Sequence, residues 1–265
     1  MSDFLSTILE EKKREVEQRK RTISEEFLEE RSASVMERRS LARALAVPGR
    51  RGINIIAEVK RGSPSRGVMN PGLDAAQFAR RYESCGAAAV SVLTDAGFFH
   101  GKAGDLRSAR SAVKIPVLRK DFIVSRYQIF ESAVMGADAV LLIVRAISPE
   151  LLGECLRLCR RIGLDALVEV HSAEELDAAS EAGAVLIGMN NRDLSTFTTD
   201  IRTSIQLVRR MRPGQVAVSE SGIRRREQID RLLDAGIWNF LIGESLVTAP
   251  EPEAVLAHLF GAHAA

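Results

Sequence analysis

Apolar residues recur in eight short runs along the chain, and longer amphipathic stretches separate these runs. The runs are Ile53–Val59, Ala88–Leu93, Ile115–Leu118, Ala139–Val144, Ala166–Val170, Val185–Met189, Val216–Val218 and Trp238–Ile242. Because they lack polar alternation, they are typical of a parallel sheet covered by helices. Eight strand and helix units over about 210 residues favour a closed (β/α)8 barrel over an open doubly wound sheet.

The stretches between the runs predict helices. Examples are Leu73–Ser84, Tyr127–Met135, Pro149–Ile162, Ala173–Ala182, Ile201–Met211 and Arg224–Ala235. Several are followed by a glycine that suits a helix C-terminus, namely Gly86, Gly136, Gly183 and Gly236. The pattern therefore predicts an α/β fold with a (β/α)8 TIM barrel over residues 53–265.

The first 52 residues differ from the rest of the chain in charge and in hydrophobic pattern. They carry 12 basic and 10 acidic side chains, which interleave and so disfavour a nucleic-acid-binding arm. A sparse apolar stripe runs through Phe4, Ile8, Leu9, Val16, Phe27, Leu28, Val35, Met36, Leu41 and Leu45. This stripe predicts an N-terminal helical extension, residues 1–52, of two or three amphipathic helices. The extension either caps the barrel or acts over the active site, and the sequence favours neither alternative.

Composition and charge narrow the class of protein. Of the 265 residues, 46% are hydrophobic and 27% are charged, so the chain can build one large core and global disorder is excluded. The net charge of +2 gives no reason to expect a nucleic-acid partner. The chain has no run of 18 apolar residues, and its start has acidic residues and no cleavage site, so we expect a cytoplasmic chain without a membrane partner. The sequence predicts no particular protein partner.

Three cysteines are present, and their surroundings do not suggest a metal site. Cys155 and Cys159 lie four residues apart in an apolar, helical stretch with no histidine nearby, and Cys85 stands alone. We interpret all three as buried free thiols, and we expect no metal ion.

Polar groups end six of the eight predicted strands. In a (β/α)8 barrel these ends converge on the side where chemistry takes place. Alternation places Glu58 and Lys60 on the same side of the first strand. Lys120, Glu169, Asn190, Glu220, Ser221 and Glu244 follow the ends of later strands. Two lysines and two glutamates in one enclosed site would shift one another's pKa values, which suits proton transfer near neutral pH.

Two other features at the strand ends have separate interpretations. His171 directly follows the fifth strand and precedes Ser172, a predicted helix N-cap, and we assign this histidine a role in the loop. A phosphate site is expected where Gly222 and Gly243 follow strands seven and eight, because loops there often present backbone N–H groups to phosphate. The loop after strand one, which contains Ser63, is a further candidate for this site.

Four segments of the chain resemble the indole-3-glycerol phosphate synthase family of tryptophan biosynthesis. They are Ile56–Ser65, Leu118–Ile123, Gly188–Leu194 and Ser219–Ile223, in order over the whole barrel. The resemblance implies conversion of 1-(2-carboxyphenylamino)-1-deoxyribulose 5-phosphate into indole-3-glycerol phosphate, with loss of carbon dioxide and water. The expected enzyme is thus a carboxy-lyase whose partner is a small phosphorylated substrate.

The resemblance also implies roles for individual residues. Lys120 matches the general acid of ring closure, in which the substrate's ketone oxygen gains a proton as an aromatic carbon attacks. The other matched catalytic positions are Glu58, Lys60, Glu169 and Asn190, with Phe122, Arg192, Glu220 and Ser221 as substrate-binding residues. The matched phosphate positions are Ser63, Gly222, Gly243 and Glu244, the last through its backbone. Because the substrate's own amine can carry the developing positive charge, we expect no cofactor.

Two alternatives and one departure remain at this stage. A non-catalytic phosphate-binding barrel would keep the glycine loops but lose Lys120 or the Glu58 and Lys60 pair, and all three residues are present. An enzyme such as phosphoribosylanthranilate isomerase would need a cysteine at a strand end, and no cysteine falls there. The departure is Lys102, which stands where the family commonly has a serine; its expected effect is confined to local loop packing. The division of labour among Glu58, Lys60 and Glu169 in dehydration stays open.

Overall fold

The computed structural model describes residues 3–34, 37–49, 51–64, 66–193 and 198–261. Val35 and Met36 of the predicted apolar stripe lie outside these ranges. So do Ser65 and Leu194, the last positions of two of the motif segments.

Eight parallel strands close into a barrel, as the hydrophobic runs predict. They are β1 (Asn54–Val59), β2 (Ala89–Leu93), β3 (Val117–Lys120), β4 (Ala139–Ile143), β5 (Asp165–Val170), β6 (Leu186–Asn190), β7 (Val216–Glu220) and β8 (Asn239–Ile242). Neighbours in the chain pair with each other, and β1 pairs with both β2 and β8, which closes the barrel. Strands β3 and β7 run further than predicted, through Lys120 and Glu220. Their backbones stay in the ladder because ionic partners allow these charged side chains to be buried.

Three helices precede the first strand, and the other helices follow the strands around the outside of the barrel. In chain order they are α1 (Asp3–Thr22), α2 (Glu25–Ala33), α3 (Leu41–Leu45), α4 (Ala75–Ser84), α5 (Ala103–Ala112), α6 (Arg126–Met135), α7 (Pro149–Ile162), α8 (Ala173–Glu181), α9 (Arg202–Leu207), α10 (Arg226–Asp234), α11 (Glu244–Val247) and α12 (Pro252–Leu259). Ser172 caps α8 by accepting a hydrogen bond from the Glu175 N–H, which confirms the predicted N-cap. A short hairpin, Gly62–Ser63 with Gly67–Val68, follows β1 and was not predicted.

The core has two layers, one between the strands and the outer helices and one inside the barrel. The inner layer stacks buried side chains from the strands, namely Ile56, Ala89, Leu118, Ala139, Leu141, Ile143, Leu167, Leu186, Val218 and Leu241. Leu41 and Leu45 of α3 belong to this inner layer and are fully buried. The backbone of α3 is anchored at the N-terminal ends of the strands, where Asp165 accepts a hydrogen bond from the Ala42 N–H. Helix α3 therefore closes the N-terminal end of the barrel.

The N-terminal helices serve both ends of the barrel, so both alternatives for the extension hold in part. At the opposite end from α3, Phe4, Leu5 and Ile8 of α1 line the pocket at the C-terminal ends of the strands. Phe27 does not continue the buried stripe, because half of its surface is exposed while the adjacent Leu28 faces the core. The chain boundary between extension and barrel at residue 52 stays a prediction.

Candidate active site

All thirteen residues proposed from the sequence line one pocket at the C-terminal ends of the strands. They are Glu58, Lys60, Ser63, Lys120, Phe122, Glu169, Asn190, Arg192, Glu220, Ser221, Gly222, Gly243 and Glu244. They come from six strands or the loops after them, so residues up to 186 positions apart in the chain are brought together by barrel closure. Six separate local predictions thus describe one place in the fold.

An ionic cluster occupies the floor of this pocket. Lys120 Nζ lies 3.3 Å from Glu169 Oε2 and 3.4 Å from Glu220 Oε2. Beside it, Lys60 Nζ lies 2.7 Å from Glu58 Oε1, which confirms that these two side chains share a face of β1. The three carboxylates are almost fully buried, whereas both ammonium groups keep some contact with the pocket opening. The lysines are thus placed to meet a ligand that enters.

The charges in this cluster fix one another's protonation states. Burial alone would lower the pKa of Lys120, but Glu220, Glu169 and Glu58 outweigh it and raise that pKa above its ordinary value. Burial opposes ionisation of Glu58, yet Lys60 and Lys120 hold its pKa below the usual range. For Glu169, burial is likewise outweighed, mainly by Lys120, and the pKa is held well below the usual range. At neutral pH, Lys120 is a cation and Glu58 and Glu169 are anions.

Glu220 differs from the other two glutamates. Burial, followed by repulsion from Glu169 and Glu58, raises the pKa of Glu220 to about 7 against the attraction of Lys120. Its Oε1 atom has no hydrogen-bond partner among the described residues. Gly188 on β6 leaves the space for this carboxyl, since a Cβ atom there would overlap Glu220 Oε1. Glu220 is therefore the carboxyl of the cluster that gains and loses a proton near neutral pH.

Neutral groups position parts of the cluster and of the pocket wall. Asn190 Nδ2 donates a hydrogen bond to Glu169 Oε1 at 3.1 Å, and Asn190 Oδ1 accepts one from the Arg192 N–H. The ring of Phe122 packs against that of Phe99, with centroids 6.0 Å apart. These two rings form an apolar wall beside the charged floor, which suits a ligand with an aromatic part.

The side of the pocket that was predicted to bind phosphate carries a group of arginines. Glu244 Oε1 accepts hydrogen bonds from Arg66 and Arg224 at 2.9 and 3.0 Å, and Arg192 lies 3.6 Å from Glu244 Oε2. The carboxylate of Glu244 is thus engaged with cations. The contact of the Glu244 backbone with phosphate stays a prediction, and the Glu244 side chain in addition holds three arginines at the pocket mouth.

Backbone geometry at the ends of β7 and β8 is also specialised. Ser221 has a φ of +67°, one of two non-glycine residues with positive φ in the part of the chain that the structure describes, and Gly222 follows with a φ of +77°. Such a conformation is strained for serine and is typical of functional sites. At Gly243, a Cβ atom would overlap the carboxylate of Glu58. This glycine is therefore required by the ionic cluster as well as by any phosphate that approaches its backbone.

Sequence reasoning assigned His171 a role in the loop, and the structure adds side-chain contacts that this assignment did not include. The histidine lies in the loop after β5, but its side chain is buried and its Nε2 atom lies 3.3 Å from Glu169 Oε1. Its Nδ1 atom lies 3.1 Å from Glu175 Oε2 on α8. The spacing of Glu169 and His171, two residues apart at a strand end, is the signal that could have placed both on one face.

A second buried network beneath Lys120 was also missed. Asp121 accepts hydrogen bonds from Thr94 and Arg119, and Lys12 of α1 lies 3.2 Å from its other oxygen. Burial is outweighed by Arg119 and Lys12, and the pKa of Asp121 is lowered to about 2. Lys12 lies four residues after Ile8 and four before Val16, on the apolar face of α1. That position in the stripe was the signal that this lysine is buried.

Cysteines and metal ligands do not contribute to the pocket. Cys155 and Cys159 are buried in α7, and burial raises the pKa of the Cys155 thiol to about 12. Cys85 is only partly buried, which departs from the expectation of three buried thiols. Across the described ranges, no group of three or more His, Cys, Asp or Glu side chains has the arrangement of a metal site. None of the helices in these ranges has the length and apolar character that a membrane span requires.

Solved structures with this architecture include enzymes of other families. A 3-hexulose-6-phosphate synthase matches with a TM-score of 0.64 at 12% sequence identity, covering 80% of this chain and 100% of that chain. A thiamine phosphate pyrophosphorylase from Pyrococcus furiosus matches with a TM-score of 0.62 at 14% identity, covering 84% and 97% respectively. At these identities the likeness shows the TIM-barrel fold alone.

The fold and the pocket together define a (β/α)8-barrel enzyme with an acid–base centre at the C-terminal ends of its strands. The sequence model of the indole-3-glycerol phosphate synthase family matches residues 5–259. The chain therefore belongs to the indole-3-glycerol phosphate synthase family, as the motif segments predicted. A protein of that name from Syntrophobacter fumaroxidans is 98% identical over 100% of both chains. Another from Desulfosudis oleivorans is 49% identical, over 98% of this chain and 99% of its own length.

Proposed function

We propose that Lys120 is the general acid in the ring closure by which this lyase of tryptophan biosynthesis forms indole-3-glycerol phosphate. The observation that carries this proposal is the position of Lys120 Nζ, between Glu169 and Glu220 and open to the pocket. When the aromatic carbon attacks the ketone carbon, the carbonyl oxygen becomes an alkoxide. An alkoxide is a far stronger base than any lysine amine, so Lys120 transfers its proton even though its pKa is raised.

The step after ring closure requires no proton from the protein. The carbon that attacked still carries the carboxylate, and the ring has lost its aromaticity. Loss of carbon dioxide leaves the bonding electrons in the ring, which restores aromaticity and neutralises the positive charge that the substrate's amine nitrogen carries after ring closure. The aromatic wall of Phe122 and Phe99 supports this assignment, because it offers an apolar face to the benzenoid ring.

For dehydration we assign Glu169 as the base and Lys60 as the acid. The lowered pKa of Glu169, which burial opposes and Lys120 and His171 enforce, keeps it ionised and ready to accept a proton from the carbon next to the nitrogen. Lys60, which Glu58 holds at 2.7 Å, donates the proton with which the hydroxyl leaves as water. The two lysines thus serve two successive protonations of the same oxygen, first to the hydroxyl and then to water.

The phosphate group is assigned to the opposite side of the pocket mouth. Backbone N–H groups of Gly222, Gly243 and Glu244 and the hydroxyl of Ser63 are its proposed donors. Arg192 is the proposed charged partner, since it lines the pocket and lies on the edge of the arginine group around Glu244. Ser221 and Glu220, between the phosphate side and Lys120, contact the sugar part of the substrate in this arrangement.

The cellular setting is part of the same proposal. We place the enzyme in the cytoplasm, with a small phosphorylated substrate as its partner and without nucleic acid or membrane. The free cysteines support this location, because a reducing compartment preserves thiols. The nearly balanced charge of +2 supports a small ligand over a polyanion.

The role of Lys120 is tested by Lys120→Met with the full-length protein. Formation of indole-3-glycerol phosphate is followed by the fluorescence of its indole ring after the carboxyphenylamino substrate is added, with no cofactor supplied. We expect kcat to fall at least about 10²-fold with KM changed by only a few fold, because a general acid is lost while binding groups stay. Lys114→Met, at an exposed position in the loop that leads into the same strand, is the matched control and should leave kcat unchanged. A Lys120→Met enzyme with a tenth of the original kcat would refute the assignment.

A further inference from the structure

Glu169 has a second group of contacts on the side away from the substrate. Its Oε2 atom faces Lys120, whereas its Oε1 atom faces Asn190 at 3.1 Å and His171 at 3.3 Å. His171 is not among the residues that line the pocket, so it lies behind the carboxylate. Any influence of His171 on the reaction must therefore pass through Glu169.

His171 is itself held in place by a chain of contacts that leads to the surface. Glu175 Oε2 accepts a hydrogen bond from the His171 backbone N–H at 2.8 Å and lies 3.1 Å from His171 Nδ1. The other oxygen of Glu175 lies 2.7 Å from Arg145 Nη2. Both nitrogens of the imidazole thus face a carboxylate, which fixes the ring's position and favours its charged form.

We propose that His171 is a positioning residue for Glu169: the chain Arg145, Glu175, His171 holds the Glu169 carboxylate ionised and aimed at the substrate. This inference rests on the proposed role of Glu169 as a base in dehydration. It gives a function to a buried histidine that neither binds substrate nor belongs to the hydrophobic core.

The charges around the two residues support this arrangement. Burial would lower the pKa of His171, but Glu169 and Glu175 outweigh it and raise the pKa to about 9, against repulsion from Arg145. Glu169 therefore lies between two cations, Lys120 and the imidazolium. Glu58 and Glu220 face it from β1 and β7 and favour its protonation, and Asn190 is its neutral donor. Without His171, the two ammonium groups of Lys60 and Lys120 would have to offset three buried carboxylates.

A purely structural interpretation is the competing one. Glu175 is the third residue of α8, and its backbone N–H binds the Ser172 cap, so the contact with His171 could serve only to fix the start of that helix. The two interpretations differ in what they predict for catalysis. A helix cap affects the unfolding temperature, whereas a positioning residue also changes the pH at which Glu169 loses its proton.

The test measures kcat, KM and Tm from about pH 3 to about pH 9 for His171→Gln, Glu175→Gln and Asp177→Asn, because the pKa of Glu169 lies well below the usual range and the acid side must be included. Asp177 is the matched control, because it lies on the same helix, is exposed and pairs with Arg210 at 2.8 Å. For His171→Gln we expect kcat to fall roughly tenfold with KM within twofold, a part of the 10²- to 10⁴-fold that acid–base groups provide. In the plot of kcat against pH, the acid limb of His171→Gln should move to higher pH, since removing a cation raises the pKa of Glu169. Glu175→Gln should shift the limb in the same direction by less.

Two results would overturn the proposal. One is a His171→Gln enzyme with a lower Tm but an unchanged acid limb and kcat. The other is an equal shift for Asp177→Asn. Glu169→Gln is measured in the same series to separate this proposal from the one on which it rests. If Glu169→Gln retains full activity, the assignment of Glu169 fails, whereas an inactive Glu169→Gln beside an unaffected His171→Gln rejects only the role of His171.

Discussion

The two ends of the barrel both bury polar side chains, but they treat them differently. At the N-terminal end, Asn54 Nδ2 donates to Asn239 Oδ1 at 2.8 Å, and Asn239 Nδ2 donates to the Ala217 carbonyl at 2.8 Å. Asp138 accepts hydrogen bonds there from the Arg39 and Val117 N–H groups. These groups have partners that satisfy them, so the N-terminal end is built for stability.

At the C-terminal end, buried carboxylates lie close enough to repel one another. Three carboxylates crowd around Lys120, and Glu220 has both a raised pKa, caused by burial and by repulsion from Glu169 and Glu58, and an oxygen without a partner among the described residues. Such an arrangement costs stability and persists where it serves a function. The comparison teaches that one fold can use buried polar groups in two ways: hydrogen-bonded Asn54 and Asn239 stabilise the N-terminal end, whereas the crowded carboxylates around Lys120 indicate chemistry at the C-terminal end.

The largest expected effect is a loss of stability at the N-terminal end of the barrel. Leu45 of α3 is fully buried in the inner layer of the barrel. Leu45→Ala should lower the free energy of unfolding by about 3 kcal/mol, because it opens a cavity that packed strands cannot fill. The kcat of the folded protein should not change. Denaturant unfolding and the fluorescence assay at 25 °C measure the two quantities.

A control for Leu45→Ala is available two residues further along the chain. Val47 is 66% exposed, and Val47→Ala should change stability by no more than about 0.5 kcal/mol. A tenfold loss of kcat in fully folded Leu45→Ala would show that the two ends of the barrel are not independent.

The second largest effect is expected at the C-terminal end of the barrel. There a substitution should lower kcat and leave stability nearly unchanged, opposite to Leu45→Ala. Gly243→Ala places a methyl group against Glu58 and so displaces this carboxylate from Lys60. We expect kcat to fall at least about tenfold, or about 1.4 kcal/mol in barrier height, with little change in the unfolding free energy. Gly72→Ala is the matched control, since its Cβ would meet no described atom within 4 Å. A rise in KM with unchanged kcat would mean that Gly243 serves the phosphate alone.

The sequence predicted the barrel well because its signal is local. Each strand is a short apolar run, and polar residues that follow the run mark the strand end, such as Arg119 and Lys120 after Leu118. Barrel closure then brings these ends together without any further information. The same reasoning placed Glu58 and Lys60 on one face, since alternation within a strand is also local.

The properties of the site that depend on distant partners were not predictable. The raised pKa of Glu220 reflects burial and repulsion from Glu169 and Glu58, which lie on other strands. Gly243 lies so close to the Glu58 carboxylate only because β1 and β8 pair. The contacts of His171 could not be foreseen because they depend on the turn after β5, which places the ring against Glu169. Pattern and spacing identify candidates, and three-dimensional neighbours determine their charge.

Glu220→Gln tests directly whether the conflict at the catalytic end costs stability. The pKa of Glu220 is raised to about 7, by burial first, from an ordinary value of 4.5. The folded protein thus binds this proton more tightly than the unfolded chain does. The stability from this group is fully present below about pH 4.5 and is lost as pH rises through about 7. Glutamine cannot ionise, so the Tm of Glu220→Gln should exceed that of the parent above pH 7.

Thermal unfolding at several values between pH 5 and pH 8 measures this difference, which should shrink toward the acid side. Glu227→Gln is the matched control, because Glu227 is an exposed glutamate on α10, the helix that follows β7. Its Tm difference should be independent of pH over this range. A Glu220→Gln protein that is less stable than the parent at pH 8 would show that the Lys120 ion pair outweighs the cost of burying this carboxylate.

The smallest effect concerns Lys102, which occupies the N-cap of α5 at the same end of the barrel. Its side chain makes no capping hydrogen bond within the described structure, and its charge lies at the positive end of the helix dipole. Ser148 at the corresponding position of α7 accepts a hydrogen bond from the Leu151 N–H.

We expect Lys102→Ser to stabilise the protein by about 0.5–1 kcal/mol, and Ser148→Ala to destabilise it by a similar amount. Both changes correspond to about 2 °C in Tm for a chain of this size. Neither residue lines the pocket, so kcat should stay constant. The loss of stability that activity requires is then confined to the ionic cluster. A Lys102→Ser protein that gains stability but loses activity would show that the helices around the active site also sacrifice stability for activity.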